Sequence, residues 1–240
     1  MSERSNDRTI HDHIVEAIGR MVFDPEVASS ALPTESELTE RFKVSRGTLR
    51  EAVKSLSAKG ILEVRPRTGT RVQPRRLWNN LDPDVLRWAI ELEPARTTLE
   101  LNELRTAVEP MAASLAARFA SADAVSGLWR SFVRMEDATA ARDLAAFVDA
   151  DSSFHRDLLS AGGNELFRSL GHMIDAALYE SFGSIAGDVS EVADSVALHR
   201  AVVVAVSAKD PEAAATAMTA VIAGTVERIG LNRNDISDAD

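Results

Sequence analysis

The chain has 240 residues, which is enough for one large domain or for two smaller domains that each bury their own core. Hydrophobic residues make up 45% and charged residues 27%, which excludes disorder of the whole chain, and the absence of cysteine excludes disulfides, thiol catalysis and cysteine-ligated metal centres. The net charge of −10 argues against nucleic acid as a partner of the chain as a whole.

The charge is divided unevenly along the chain. Residues 1–76 carry 14 Lys and Arg against 11 Asp and Glu, whereas residues 77–240 carry 13 against 26. Within the first part, residues 43–76 hold ten basic and two acidic residues. Phosphate contact requires such a basic stretch, so nucleic acid is the expected partner of the N-terminal part.

The N-terminal part begins with three predicted helices. Apolar residues at helical spacing predict the first helix over residues 8–23. Thr34 and Glu37 form a capping-box pattern, which predicts the start of a second, short helix. Ser45 is a favourable N-cap for a third helix over 46–59, which a glycine then ends.

Beyond the third helix, apolar residues no longer recur at helical spacing but at every second position, as they do in a β-strand. Residues 61–64 and 70–73 predict two short strands, and the Pro and Gly between them predict a turn. Three helices followed by a β-hairpin form the outline of a winged helix-turn-helix. We therefore predict a winged-helix DNA-binding domain over residues 1–76.

The remainder of the chain is predicted to be helical throughout. A segment without either period, flanked by prolines, marks a linker with a short helix over 77–99. Helix-length segments separated by capping residues and glycines then predict an antiparallel bundle of six to seven helices over 100–231. Residues 232–240 are expected to fray. The fold class is thus mainly α, with a single small hairpin.

The third helix carries the residue types that read DNA bases. Arg46 and Arg50 lie four positions apart, and arginine can donate two hydrogen bonds to guanine in the major groove. Small polar residues at the same helix start suit phosphate contacts, and the basic hairpin turn suits a contact at the groove edge. The alternative is an ordinary solvated basic face. The candidate residues are Ser45, Arg46, Gly47, Thr48, Arg50, Arg65 and Arg67.

The segment Leu32–Val72 resembles the DNA-binding domain of the GntR superfamily of bacterial transcription regulators. The matching residues are Leu32-Pro33, Glu35, Glu37-Leu38, Val44-Ser45-Arg46, Arg50-Glu51-Ala52, Leu56, Gly60 and Gly69-Thr70. The resemblance implies that Arg46 and Arg50 read bases and that the wing around Arg67, Thr68 and Gly69 enters the minor groove. Ser36 stands where many members have an arginine, so one family contact with DNA is absent.

The second half resembles the helical effector-binding domain, FCD, of the FadR branch. The matching residues are Glu103-Leu104-Arg105, Glu109-Pro110, Asp151, Phe154-His155, Asn164, Leu198-His199 and Asp210 to Ala214. The resemblance covers nearly the whole remaining chain. It implies a domain that binds a small effector and holds two copies of the chain together.

Asp151 and His155 are spaced i, i+4, which places a carboxylate and an imidazole on one helix face, and His199 comes from another helix. Metal-binding members of the family have a further histidine where this chain has Val221. Three interpretations stay open. In the first, the three residues bind a divalent metal, zinc or similar, with open positions for effector and water. In the second, they form a metal-free polar pocket for a hydroxylated acid. In the third, the histidines are core residues with satisfied hydrogen bonds.

Arg105 is the candidate anchor for an anionic effector, because a buried guanidinium pairs well with a carboxylate. Its alternative role is a salt bridge to Glu109, four residues along. The segment Leu77–Trp88 resembles the linker of regulators of galactonate operons, which also lack the last histidine. That resemblance implies a sugar-acid effector, such as an aldonate, with its carboxylate on Arg105 and its hydroxyls near the Asp and two His.

These observations predict a ligand-responsive repressor that binds a palindromic operator as a homodimer and is released by a small carboxylate. No segment has the apolar length of a signal peptide or membrane span, so we expect a cytoplasmic, nucleoid-associated protein without a membrane partner. One alternative is a regulator of another organic-acid pathway. Another is an architectural DNA binder without an effector. A metal-dependent enzyme using the Asp and two His is disfavoured, because no hydrolase or phosphate-loop motif is present.

Overall fold

A computed structural model describes residues 3–28, 32–65, 69–174 and 193–229. The chain forms two compact units that divide between Leu92 and Glu93. The tail over 232–240 lies outside the described residues. Within the described ranges, every helix is too short or too polar to cross a membrane.

The N-terminal unit is a winged helix with a short additional helix between the first two predicted helices and a further helix after the hairpin. Its elements are α1 (Glu3–Met21), α2 (Pro25–Ala28), α3 (Glu35–Phe42), α4 (Arg46–Ala58), β1 (Leu62–Arg65), β2 (Gly69–Val72), a 3₁₀ turn (Arg75–Leu77) and α5 (Pro83–Leu92). The strands pair antiparallel, with Leu62 opposite Val72 and Arg65 opposite Gly69. Helix α2 was not predicted; the proline that ends α1 also opens α2, because proline is tolerated in a first helical turn.

The predicted caps are confirmed. The Thr34 backbone N–H donates to Glu37 Oε2 at 2.7 Å, and the Glu37 backbone N–H donates to Thr34 Oγ1 at 3.3 Å. At the start of α4, the Thr48 backbone N–H donates to Ser45 Oγ at 3.1 Å. These bonds satisfy backbone donors that a helix start leaves unpaired, so the entry points of α3 and α4 are fixed locally.

Helix α5 belongs to the core of the N-terminal unit, although the sequence suggested a linker segment. Glu16 on α1 accepts hydrogen bonds from Arg87 Nη2 at 2.6 Å and from Trp88 Nε1 at 2.8 Å. The hydrogen bond from Arg87, opposed by burial and assisted by that from Trp88, lowers the pKa of Glu16 to about 2. Gly19 gives the indole room, because a Cβ there would lie 2.2 Å from the Trp88 ring.

The C-terminal end of α4 is hydrogen-bonded to the segment that precedes α5. The Asn79 backbone N–H donates to the Lys59 carbonyl at 2.9 Å. Lys59 Nζ donates to the two carboxylate oxygens of Asp82 at 2.7 and 2.8 Å. The helix that carries the candidate base-reading arginines is therefore anchored at its far end to the residues leading into α5.

The C-terminal unit is all-α in its described part, as predicted. Its helices are α6 (Pro94–Phe119), α7 (Ala122–Ala141), α8 (Leu144–Ala161), α9 (165–174), α10 (Ala193–Ser207) and α11 (Pro211–Ile229). Helix α11 packs along α6 and α10, and α7 packs along α8. The core is built from aromatic and aliphatic side chains with many alanines between them, which allow close helix approach.

Candidate functional site

The base-reading candidates lie on the solvent-exposed face of α4. Arg46 is exposed, and the Arg50 side chain is 71% exposed. Glu35 on α3 lies beside the second of them, with its Oε2 3.3 Å from Arg50 Nε. This partner was not predicted from the sequence. An exposed ion pair contributes little stability, so Arg50 can leave Glu35 at small cost.

The small residues at the start of α4 are also exposed or half-buried, as a groove contact requires. Ser45 and Thr48 share a hydrogen bond between their hydroxyl oxygens at 2.8 Å, and both take part in the helix cap. Gly47 is exposed, and only Ser45 Oγ, at 3.6 Å, would lie near a Cβ there. The helix start thus presents backbone and hydroxyl groups without a bulky side chain between the two arginines.

The hairpin places Arg65 at the exposed end of β1. Its Nη2 lies 2.7 Å from Glu63 Oε2, and this hydrogen bond raises the pKa of the Arg65 guanidinium. Gly69, at the start of β2, has φ +85° and open space around it. Arg67 and Thr68 lie outside the described residues.

A second group of polar residues is buried inside the C-terminal unit. Helix α8 contributes Asp151 and His155, and α10 contributes His199; each is at most 5% exposed. His199 Nε2 lies 3.2 Å from Asp151 Oδ1 and 3.3 Å from His155 Nε2. The structure therefore brings together the three residues that the sequence singled out.

Hydrogen-bond partners define where the two imidazoles carry their hydrogens. His155 Nδ1 lies 2.7 Å from Glu109 Oε2, and His199 Nδ1 lies 2.8 Å from the Ser195 carbonyl. A carboxylate and a carbonyl can only accept, so each Nδ1 donates, and in the neutral form of each imidazole Nε2 has the lone pair. The two lone pairs face the Asp151 carboxylate, and three acceptors with one negative charge suit a cation.

The Asp151 carboxylate stays ionised in this setting. Burial alone raises its pKa, but positive charge on His155, a hydrogen bond from His199 and the charges of His199 and Arg105 outweigh burial and hold the pKa well below its usual range. A coordinating imidazole must be neutral, so when a metal binds, Arg105 is the positive charge that remains beside this carboxylate.

The spacing of the three donors fits a bound metal ion. The two Nε2 atoms are 3.3 Å apart, His199 Nε2 lies 3.2 Å from Asp151 Oδ1, and His155 Nε2 lies 3.7 Å from the other carboxylate oxygen, Oδ2. One ligand atom from each residue lies within 4.8 Å of the other two. Ligands about 2.0–2.1 Å from a tetrahedral zinc are separated by roughly 3.3 Å, so the observed separations are close to those of a coordination shell. Val221, at the position of the family's further histidine, is buried in the apolar core and offers no donor. A metal held here would therefore keep open positions for other ligands.

Arg105 lies beside this group and is 1% exposed. Its Nε donates to Glu109 Oε1 at 2.7 Å, and its Nη1 donates to Asn102 Oδ1 at 3.4 Å. The ion pair that the sequence offered as the alternative role of Arg105 is thus present. Burial raises the pKa of Glu109, but the charges of Arg105 and His155 and their hydrogen bonds lower it to about 2.

Several contacts of this group were not predicted. Glu109 on α6 reaches His155 on α8, and the Ser195 carbonyl orients His199. The i, i+4 spacing identified Glu109 only as a partner of Arg105, because sequence spacing carries no information about contacts between different helices. His172 is exposed and does not join the group.

Comparisons with known proteins agree with this division. Residues 7–72 match the family model of bacterial regulatory proteins of the gntR family, and residues 100–224 match the FCD domain. The galactonate operon transcriptional repressor of Escherichia coli K12 is 31% identical over 223 residues, covering 91% of this chain and 96% of the repressor. The uncharacterised HTH-type transcriptional regulator YieP of the same organism is 33% identical over 192 residues, covering 80% of this chain and 82% of YieP.

Among solved structures, a GntR protein of Streptococcus agalactiae superposes with a TM-score of 0.53 at 29% identity, covering 90% of this chain and 99% of that protein. A winged helix with an exposed basic helix, followed by an all-α unit with a buried polar group, defines a transcription regulator that binds operator DNA, not an enzyme. The chain belongs to the GntR family of bacterial regulators and carries an FCD domain in its C-terminal half.

Proposed function

We propose that the protein is a repressor of a sugar-acid catabolic operon, released from DNA when a sugar acid binds in the FCD domain. The observation that carries the proposal is the convergence of Asp151, His155 and His199 inside the C-terminal unit, where they form a buried acceptor group. The similarity to a repressor named for a galactonate operon supports an aldonate as the effector class. Repression of another organic-acid pathway stays the alternative.

The proposed operator is palindromic and bound by a homodimer. Each winged helix would place the start of α4 in the major groove of one half-site, so the two-fold symmetry of the protein is matched by the DNA. Arg46 and Arg50 would read bases, with Ser45, Gly47 and Thr48 setting the register through phosphates. Arg65 and the hairpin turn would contact the groove edge.

Arg46→Ala and Arg50→Ala are each expected to weaken operator binding by about 5- to 150-fold, which corresponds to roughly 1–3 kcal/mol for a lost bidentate base contact. Fluorescence anisotropy with an operator selected from random duplexes measures the loss, and a scrambled duplex measures non-specific binding. Arg118→Ala, which removes an exposed arginine of α6, is the control and should leave both affinities unchanged. Parental operator affinity in either α4 variant would remove that residue from the proposed interface.

The proposed response is a shift between two conformations. An effector that binds the FCD domain best in a conformation with misplaced winged helices lowers DNA affinity by its differential binding free energy. A coupling of about 1–3 kcal/mol, or 5- to 150-fold, is sufficient for a useful switch. Asp151, His155 and His199 would hold a divalent ion, which when bound supplies coordination positions for carboxylate and hydroxyl oxygens.

Thermal denaturation with a panel of aldonates tests this site. We expect galactonate or a related aldonate to raise the melting temperature in the presence of Zn²⁺ or Mn²⁺, because a ligand that binds only the folded state stabilises it. Galactose, which has the hydroxyls but no carboxylate, is the matched control and should give no shift. Loss of the shift after chelation supports an ion between protein and effector.

A shift that survives chelation would instead support the metal-free pocket, with Arg105 as the anchor for the carboxylate. Arg105 is buried beside the group and its Nε is already paired with Glu109, so in this second candidate the effector carboxylate would be bound by the other N–H groups of the guanidinium. If no acid changes the melting temperature under either condition, the effector proposal is wrong. That result would support the alternative of an architectural DNA binder without an effector.

A further inference from the structure

Glu109 uses both of its carboxylate oxygens to connect two helices beside the proposed effector site. Oε1 accepts from Arg105 Nε at 2.7 Å within α6, and Oε2 accepts from His155 Nδ1 at 2.7 Å across to α8. The side chain is 0% exposed, so water does not compete for either oxygen. Glu109 is thus hydrogen-bonded to both of these side chains.

This contact determines which nitrogen of His155 is free. An ionised carboxylate can only accept, so Nδ1 carries the hydrogen, and in the neutral imidazole the lone pair of Nε2 points to His199 and Asp151. Arg105 Nη2 lies 3.0 Å from Nε2 and 3.3 Å from Nδ1 of the same ring. A donor along the in-plane lone pair of Nε2 would be far more distant from Nδ1, so the guanidinium lies over the ring face and leaves that lone pair available.

We propose that Glu109 is a positioning residue, which fixes the orientation and tautomer of His155 and so presents Nε2 to whatever binds between Asp151 and His199. The inference rests on the proposed effector site and adds a residue to it. Hydrogen bonds of this kind orient metal-binding histidines and raise the basicity of the ligating nitrogen.

Glu109 also affects the charge of the group. One guanidinium and two carboxylates leave a net negative charge when both imidazoles are neutral, which favours a divalent cation. Without the charge of Glu109, the charges of Arg105 and Asp151 would cancel, and a neutral group attracts a divalent cation less. Orientation and charge therefore act in the same direction.

Glu109→Gln removes both contributions with almost no change in volume. The amide has one acceptor oxygen, so it can accept from Arg105 only by turning its NH₂ toward His155, which must then accept at Nδ1 and carry its hydrogen on Nε2. We expect the affinity for Co²⁺, measured by calorimetry and followed by its visible absorption, to fall about 10- to 100-fold. Glu103→Gln, which removes an exposed carboxylate from the same helix, is the control and should bind Co²⁺ like the parent.

Long-range ¹H–¹⁵N NMR of the histidine side chains tests the same inference without metal. In metal-free parent protein in alkaline buffer we expect His155 with its hydrogen on Nδ1, and in Glu109→Gln a loss of that preference. A hydrogen on Nε2 of His155 in the parent, or parental Co²⁺ affinity in the folded variant, would overturn the inference. If the parent shows the expected tautomer but binds no Co²⁺, the metal in the proposed function fails while the positioning role of Glu109 is supported.

Discussion

Arg105→Met is expected to destabilise the C-terminal unit by about 3–5 kcal/mol, the cost of leaving one member of a buried ion pair without its partner. Glu109 would remain 0% exposed with its charge balanced only by hydrogen bonding to His155. Methionine replaces the aliphatic part of arginine, so the decrease in stability comes more from the lost charge than from lost packing. Urea denaturation followed by circular dichroism measures the free energy of unfolding.

The same helix supplies a matched control for this prediction. Arg96 and Glu100 form an ion pair with the same i, i+4 spacing, 3.0 Å between Nε and Oε1, but their side chains are 37% and 57% exposed. Arg96→Met should therefore cost less than about 1 kcal/mol, because exposed pairs contribute little. The double variant Arg105→Met with Glu109→Gln should regain much of the loss by removing the unbalanced charge. Equal losses for the two arginine variants would show that burial does not strengthen the pair.

The elements of the N-terminal unit could be predicted because their signals are local. Thr34, Glu37 and Ser45 cap helices through bonds that span three residues, and the hairpin follows from a change of period and a turn. Helix α5 was also predicted correctly as an element. The position of α5 in the core of the N-terminal unit was not predicted, because the contacts of Glu16 with Arg87 and Trp88 join residues more than 70 positions apart.

The candidate sites show the same limit. Asp151 and His155 could be paired from an i, i+4 spacing, and His199 was added by resemblance to a family. Glu109 has the same kind of spacing with Arg105, yet its contact with His155 depends on how α6 and α8 pack. Likewise, Glu35 lies beside Arg50 only after α3 and α4 fold against each other. Sequence patterns identified the residue types of each site, and packing added the partners that set their charge and orientation.

Packing also connects α4, which carries the candidate base-reading arginines, to the rest of its unit, and one glycine is required for that connection. Gly60 follows the end of α4 with φ +77°, a conformation that residues with a Cβ rarely adopt. A Cβ at this position would lie 2.4 Å from the carbonyl oxygen of Leu77 and 3.3 Å from the Cα of Trp78. Both neighbours are backbone atoms, so no side-chain rotation can relieve the overlap.

Gly60→Ala is therefore expected to destabilise the N-terminal unit by roughly 2–4 kcal/mol, combining left-handed strain with a forced backbone shift. Urea denaturation of the variant in a Trp129→Phe background measures this, because the two remaining tryptophans, Trp78 and Trp88, then report on the N-terminal unit alone. Operator affinity should fall as well, since the shift moves the segment that anchors the end of α4.

Gly69→Ala is the control that separates the strain of a left-handed backbone conformation from the steric overlap of the added Cβ, within the same unit. Gly69 has φ +85°, but no atom lies within 4 Å of a Cβ built there, so only the strain of about 1–2 kcal/mol applies. If Gly60→Ala lowers the free energy of unfolding no more than Gly69→Ala does, the backbone around Leu77 can shift at little cost. In that case α4 would not be held rigidly at its C-terminal end, and the orientation of Arg46 and Arg50 would depend on the packing of α1 and α3 instead.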